Sequence, residues 1–169
     1  MLNLGILTIS DKGSQGQRYD ESGKALQMDC LSQLDCSVAK YEIVPDEVDI
    51  IAGKLTGWAD KGDLDIILTT GGTGLGQHDV TPEATLSILD KAVPGFAEAM
   101  RMRTFDMTPL TILSRAVAGI RGKCLIINLP GSPKAVRECL SVILPALPHA
   151  VEIIKGKVTE HAAMDVEGD

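Results

Sequence analysis

Apolar residues in this chain gather into short runs, separated by longer segments in which they recur every three or four positions. Residues 2–9 are almost continuously apolar, as expected of a strand covered on both faces. Residues 64–68 and 124–129 repeat that pattern, while 37–44 is half polar and stops at Pro45. These four segments are the predicted strands. Between the first two, Ser22 caps a predicted helix running to about Leu34, with Ala25, Met28, Leu31 and Leu34 as its apolar face. Asp46 opens a second helix on the stripe Val48, Ile51, Ala52, Leu55 and Trp58, closed by Lys61-Gly62.

Thr81-Pro82-Glu83 starts a third helix, with Pro suited to the first helical position and Glu to the positive end of the dipole. Further helices are predicted over 96–103, from Thr108-Pro109 through Val117, and over 134–144 behind a Ser132 cap, with a last amphipathic turn near Gly156. Strands separated by helices of crossover length imply a three-layer α/β/α domain with a mainly parallel central sheet. Residues 1–156 form this single domain, and 157–169 read as a polar tail.

Ligands of such sheets bind beyond the C-terminal ends of the strands. The polar segments in that position are 10–23, Pro45-Asp46, 69–81 and 130–132. The third is the most distinctive: Thr69-Thr70-Gly71-Gly72-Thr73-Gly74 runs through Gly76 to His78-Asp79 and the helix start. A strand, a glycine-rich loop and a helix together bring backbone N–H groups toward an anion. The loop is not a Walker A motif, because Gln77-His78 stands where Lys and a hydroxyl residue are required. Nor does it carry the third glycine of the dinucleotide fingerprint. Asp79 and Asp46, each beyond a strand end, are candidate ligands for Mg²⁺, which is usually held by one or two carboxylates plus substrate oxygens.

Composition narrows the function class. A formal charge of -7 on 169 residues excludes a general nucleic-acid binder, since no basic surplus neutralises phosphates. No apolar run reaches membrane-spanning length, and the N-terminus lacks a basic n-region, so a cytoplasmic protein is expected. With aromatics at 3%, the core must be aliphatic. Cys30, Cys36, Cys124 and Cys139 lack zinc or redox spacing and read as buried thiols. No nucleophilic triad is visible, and His78 reads as a donor to substrate or an exposed side chain.

Taken in order, SDKG…DESG, VPDE, TTGGTG with DVTPEAT, LSRAVAGIRG and INLPGSPKAVRECL resemble the molybdopterin adenylyltransferase family (MogA type) over nearly the whole chain. MoaB-type proteins are close relatives. The molybdenum insertase and competence-damage domains share the TTGG-type loop and LPG turn but usually lack VPDE combined with DVTPEAT. The resemblance implies a MogA-like fold and a homotrimer that transfers AMP from Mg·ATP to molybdopterin, releasing pyrophosphate, with a molybdenum insertase as a possible partner. It places catalytic, metal-holding carboxylates at Asp46 and Asp79. It places the substrate crevice at Ser10, Asp11, Asp20, Thr69, Thr70, Gly71, Gly72, Thr73, Gly74, Ser114, Arg115, Pro130, Gly131 and Ser132. Arg115, Lys12 or Lys134 would relieve the remaining anionic charge. Many family members carry Arg where this chain has His78. The alternative reading is a non-catalytic molybdopterin-binding module using the same crevice.

Overall fold

The computed structural model describes residues 1–157, so the predicted tail, with His161, lies outside the described residues from 158 onward. In chain order the elements are β1 (Leu2–Ile9), α1 (Asp11–Ser14), α2 (Glu21–Gln33), β2 (Cys36–Val44), α3 (Val48–Ala59), β3 (Ile66–Thr70) and α4 (Thr81–Leu86). Then come β4 (Lys91–Ala92), α5 (Pro94–Thr104), a 3₁₀ turn (Pro109–Leu113), β5 (Ala118–Arg121), β6 (Cys124–Leu129), α6 (Pro133–Ile143) and α7 (Leu147–Ile154). The six strands lie in the order β2-β1-β3-β6-β5-β4. β2, β1, β3 and β6 are parallel, while β5 runs antiparallel to β6 and to β4.

Side-chain alternation splits each central strand between two cores. Ile66 and Leu68 of β3, with Leu125, Ile127 and Leu129 of β6, pack toward Leu26, Met100, Val136 and Leu140 from α2, α5 and α6. Ile67 and Ile126 face the other way, onto Ile51, Leu55 and Trp58 of α3 and Ala84 of α4. Both faces are thus covered, which is why these strands read as unbroken apolar runs.

Three expectations change. The strands number six among the described residues, not four. The helix expected through Val117 is a 3₁₀ turn followed by extended chain and β5. Asn128 draws this segment into the sheet: its N–H donates to the Val117 carbonyl at 3.0 Å, and its Oδ1 accepts from the Val117 N–H at 3.3 Å. Arg121 pairs with Cys124 across a two-residue turn that begins at Gly122, whose φ of 56° is a conformation other residues rarely adopt. Finally, α2 buries Ser22, Ala25, Leu26 and Cys30, leaving Met28 and Leu31 exposed. Steps of three residues fall short of a full turn by about 60° each, so the expected stripe drifts off the face that steps of four hold.

Candidate functional site

The C-terminal ends of β1, β2, β3 and β6 open on one crevice, and the turns leaving them build its walls. β1 runs into Ser10, whose hydroxyl accepts from the Gly13 N–H at 3.0 Å and starts the short α1. β6 runs through Pro130-Gly131 into Ser132, which accepts from the Ala135 N–H at 3.2 Å and caps α6. β3 ends in Gly71 and Gly72, with φ of 100° and 65°. The turns meet closely, since a Cβ on Gly131 would lie 3.2 Å from the Gly71 Cα. A cavity of about 620 Å³ lies here, lined among others by Ser10, Asp20, Gly71, Gly72, Gly131 and Ser132.

Asp20 is the best satisfied of the predicted residues. Its carboxylate accepts from Thr8 Oγ1 (2.6 Å), the Tyr41 hydroxyl, Ser22 Oγ (3.3 Å) and the Gly23 N–H (2.9 Å). Asp20, rather than Ser22, therefore caps α2. Burial, followed by the hydrogen bond to Asp20, pushes the Tyr41 phenol well above its usual range, keeping it a donor to this carboxylate.

Beside the cavity is an acidic corner. Asp11 and Asp46 exchange bonds: the Asp11 N–H donates to Asp46 Oδ2 at 2.8 Å, and the Asp46 N–H donates to Asp11 Oδ1 at 2.9 Å. Asp46 thus lies before α3, which starts at Val48. The Asp79 carboxylate accepts from the Gly76 N–H at 2.8 Å and sits against the glycine faces, where a Cβ on Gly74 or Gly76 would come within 2.9 Å of Oδ2. His78 Nδ1 stands 3.5 Å from Asp11 Oδ2. Burial first, then the charges of Asp11 and Asp79, raise the Asp46 carboxyl above its usual range, against the lowering effects of the Asp11 N–H bond and His78.

That shift has a sign for stability. An acid whose folded pKa is raised stabilises the fold while protonated, and the contribution is lost as pH climbs from the ordinary carboxylate range through the raised value. Asp46→Asn, which keeps an oxygen for the Asp11 N–H, is therefore expected to hold or raise the melting temperature at pH 7. The difference from the parent should shrink in acid. A clear drop in stability at pH 7 in a thermal melt would contradict it.

The corner carries oxygen donors and surplus negative charge, as a hard divalent cation requires. Among the described residues no three of His, Cys, Asp and Glu form a metal cage. Asp46 and Asp79 are the two carboxylates expected from the sequence to hold such a cation.

Several of the expected contact residues have their side chains engaged within the protein. Thr69 and Thr70 are fully buried: Thr69 Oγ1 accepts from Asn128 Nδ2 at 3.0 Å, and Thr70 Oγ1 donates to the Pro130 carbonyl at 2.7 Å. They fix the strand ends, and both hydroxyls are engaged within the protein. Thr73 is also buried, and its carbonyl accepts from the Arg115 N–H at 2.9 Å. Arg115 follows the 3₁₀ turn in extended chain and not on a helix. Its guanidinium binds the Gly74 and Asp79 carbonyls and the Glu83 carboxylate. Ser114 is half-buried behind it, its hydroxyl accepting from the Ala116 N–H at 3.3 Å. Lys134 is exposed and faces Glu138.

Among the lining residues not singled out from the sequence are Arg18 and the exposed Tyr19. Arg18 is the one basic side chain among the described lining residues. Their only sequence signal was membership of the polar loop after the first strand.

Comparison with known proteins places this arrangement. Residues 5–149 match the family described as "Probable molybdopterin binding domain". The chain is 48% identical over 157 residues to a molybdopterin adenylyltransferase of Helicobacter pylori, covering 92% of this chain and 89% of that protein. It is 36% identical over 174 residues to the molybdopterin adenylyltransferase of Escherichia coli K12, covering 95% and 89%. Its fold superposes on the molybdopterin biosynthesis enzyme MoaB from Thermus thermophilus with a TM-score of 0.87 at 51% identity, covering 95% of this chain and all of that one. The chain belongs to the molybdopterin-binding domain family of molybdenum cofactor biosynthesis proteins.

Proposed function

We propose that this protein is a molybdopterin adenylyltransferase: it transfers AMP from Mg·ATP to the terminal phosphate of molybdopterin and releases pyrophosphate. The observation that carries this reading is that a 620 Å³ cavity adjoins the acidic corner: Gly72 lines the cavity, a Cβ on it would lie 3.3 Å from Asp46 Oδ1, and Asp46 is bonded to Asp11. A cavity of that size suits an extended substrate, and the carboxylates are the hard oxygen donors that would suit a divalent cation. The identity to molybdopterin adenylyltransferases over most of both chains supports the same conclusion.

In the reaction an oxygen of the molybdopterin phosphate forms a bond to the α-phosphorus, and the bond from that phosphorus to the β-bridging oxygen breaks. The nucleophile is an anion near neutral pH, so no strong general base is required. The protein has to align two anions and neutralise charge at the α-phosphate and the leaving pyrophosphate. Mg²⁺ supplies that neutralisation when bound. Asp46 and Asp79 hold it, with Asp11 fixing the Asp46 carboxylate. Ser10, Ser132 and the turns at Gly71-Gly72 and Pro130-Gly131 shape the cavity that receives substrate. Arg18 contributes the positive charge first expected of Arg115, and the Tyr19 ring offers a flat apolar face to a pterin or adenine. His78 stands where many relatives place Arg, and it adds charge to the corner only when protonated.

The exposed apolar side chains Met102, Phe105, Met107, Leu110 and Ile112 support self-association, and a homotrimer is the proposed assembly. Cytoplasmic location and transfer of product to a molybdenum insertase complete the reading. Among the described residues no helix is long and apolar enough to cross a membrane.

Incubation with molybdopterin, ATP and Mg²⁺ is expected to release pyrophosphate only when all three are present. Release that does not depend on molybdopterin would contradict the assignment.

A further inference from the structure

Arg115 lies beside the proposed reaction centre, but most of its donors are engaged by the protein itself. Nε donates to the Gly74 carbonyl at 2.8 Å, Nη2 donates to the Asp79 carbonyl at 2.5 Å, and its own N–H holds the Thr73 carbonyl. Gly74 and Asp79 are the two ends of an exposed loop, 75–78, so one guanidinium pins both ends at once. Glu83, in the first turn of α4, grips the outer edge of the same guanidinium. The Asp79 carboxylate in turn depends on this loop, because it accepts from the Gly76 N–H and rests on the glycine faces of Gly74 and Gly76. We propose that Arg115 and Glu83 form a positioning clamp that fixes the glycine loop and so aims the Asp79 carboxylate, rather than a group that binds substrate phosphate.

The chemistry of the side chains favours this division of labour. A planar guanidinium with donors in a fixed fork can hold two carbonyls and a carboxylate together, which a lysine ammonium on a flexible stem cannot. Four protein acceptors engage it, and its side chain is about one third exposed. These bonds take four of the five N–H donors of the guanidinium, leaving a phosphate at most one, on Nη1, unless it displaces an acceptor. The clamp also ties the chain after the 3₁₀ turn to the glycine loop and the adjoining α4, two stretches far apart in sequence.

The inference rests on the proposed adenylyl transfer only for its kinetic arm, so two measurements are made on Arg115→Lys, Glu83→Gln and the parent. In steady-state kinetics, Arg115→Lys is expected to lower kcat about 10-fold or more while the KM for ATP and for molybdopterin each move less than about 3-fold. Glu83→Gln, which keeps an acceptor, should lose less. In amide hydrogen exchange of the protein alone, the Gly76 and Asp79 N–H groups should exchange about 10-fold faster in Arg115→Lys, with α2, α6 and the sheet unchanged. A loss confined to KM would overturn the clamp in favour of direct phosphate binding. Unchanged exchange at Gly76 and Asp79 would overturn it independently of the reaction. If the parent forms no product, the adenylyl-transfer reading falls, and the exchange result alone decides the clamp.

Discussion

Replacing Asp79 with Asn is expected to lower the rate of adenylyl-molybdopterin formation by about 100-fold or more, with the fold intact. Asp46→Asn should do the same. The size follows from the role: removing one fixed group that stabilises charge in a transition state typically costs about 10² to 10³ in kcat. The structure makes the comparison clean, because both variants retain an oxygen where the carboxylate accepts from a backbone N–H, Gly76 for Asp79 and Asp11 for Asp46. What each loses is charge facing its neighbours. The apparent Mg²⁺ requirement should therefore rise in both, and raising Mg²⁺ should recover part of the rate. Full activity in Asp79→Asn, measured by product formation at saturating ATP, would remove that residue from the site. Because Asp46 ionises at a cost to the fold, its variant should combine lost activity with undiminished stability. That pairing is expected of a site organised for a ligand rather than for the empty protein.

The largest stability effect is expected at Gly71. Its φ of 100° lies where L side chains rarely go, and an added Cβ would meet the Ile9 carbonyl oxygen at 2.3 Å. The obstacle is backbone of the central strand β1, which has no flexible end to move aside. Gly71→Ala should therefore cost about 2–4 kcal/mol, combining the unfavourable φ with the contact. For a chain of this size that corresponds to a fall in melting temperature of roughly 5–15 °C. Gly131 closes on the same turn from the other side, so activity should fall further than stability alone accounts for. A melting temperature within about 2 °C of the parent would show that the turn has another conformation.

The central sheet was legible because burial on both faces leaves its strands with continuous apolar runs, and β1, β3 and β6 stand where those runs lie. The edge was not. β4 has two residues, and β5 is the four-residue stretch Ala-Gly-Ile-Arg, too short for any periodicity to distinguish it from a helix end. The hairpin signal at Gly122 was present but weak beside the apparent helical pattern before it. That Asp46 and Asp79 lie near each other was legible because each is in a segment that follows a strand, and topology brings strand ends together. The burial of the Thr69 and Thr70 side chains has the same origin: they belong to the end of β3 and serve Asn128 and Pro130 before the loop begins. Arg115 was misread through its secondary structure. In extended chain it reaches back to the loop, which a helical position would not have suggested. Arg18 and Tyr19 owe their place to the path of a polar loop, and no spacing rule predicts such a path.

Adenylyl transfer is tested most directly by following label from ATP carrying ³²P at the α-phosphate to molybdopterin, with mass analysis of the product. The expected result is one AMP on the terminal phosphate of each pterin, one pyrophosphate released per label transferred, and loss of both in Asp46→Asn. Molybdopterin that binds in the cavity yet never acquires label, with ATP and Mg²⁺ saturating, would contradict it.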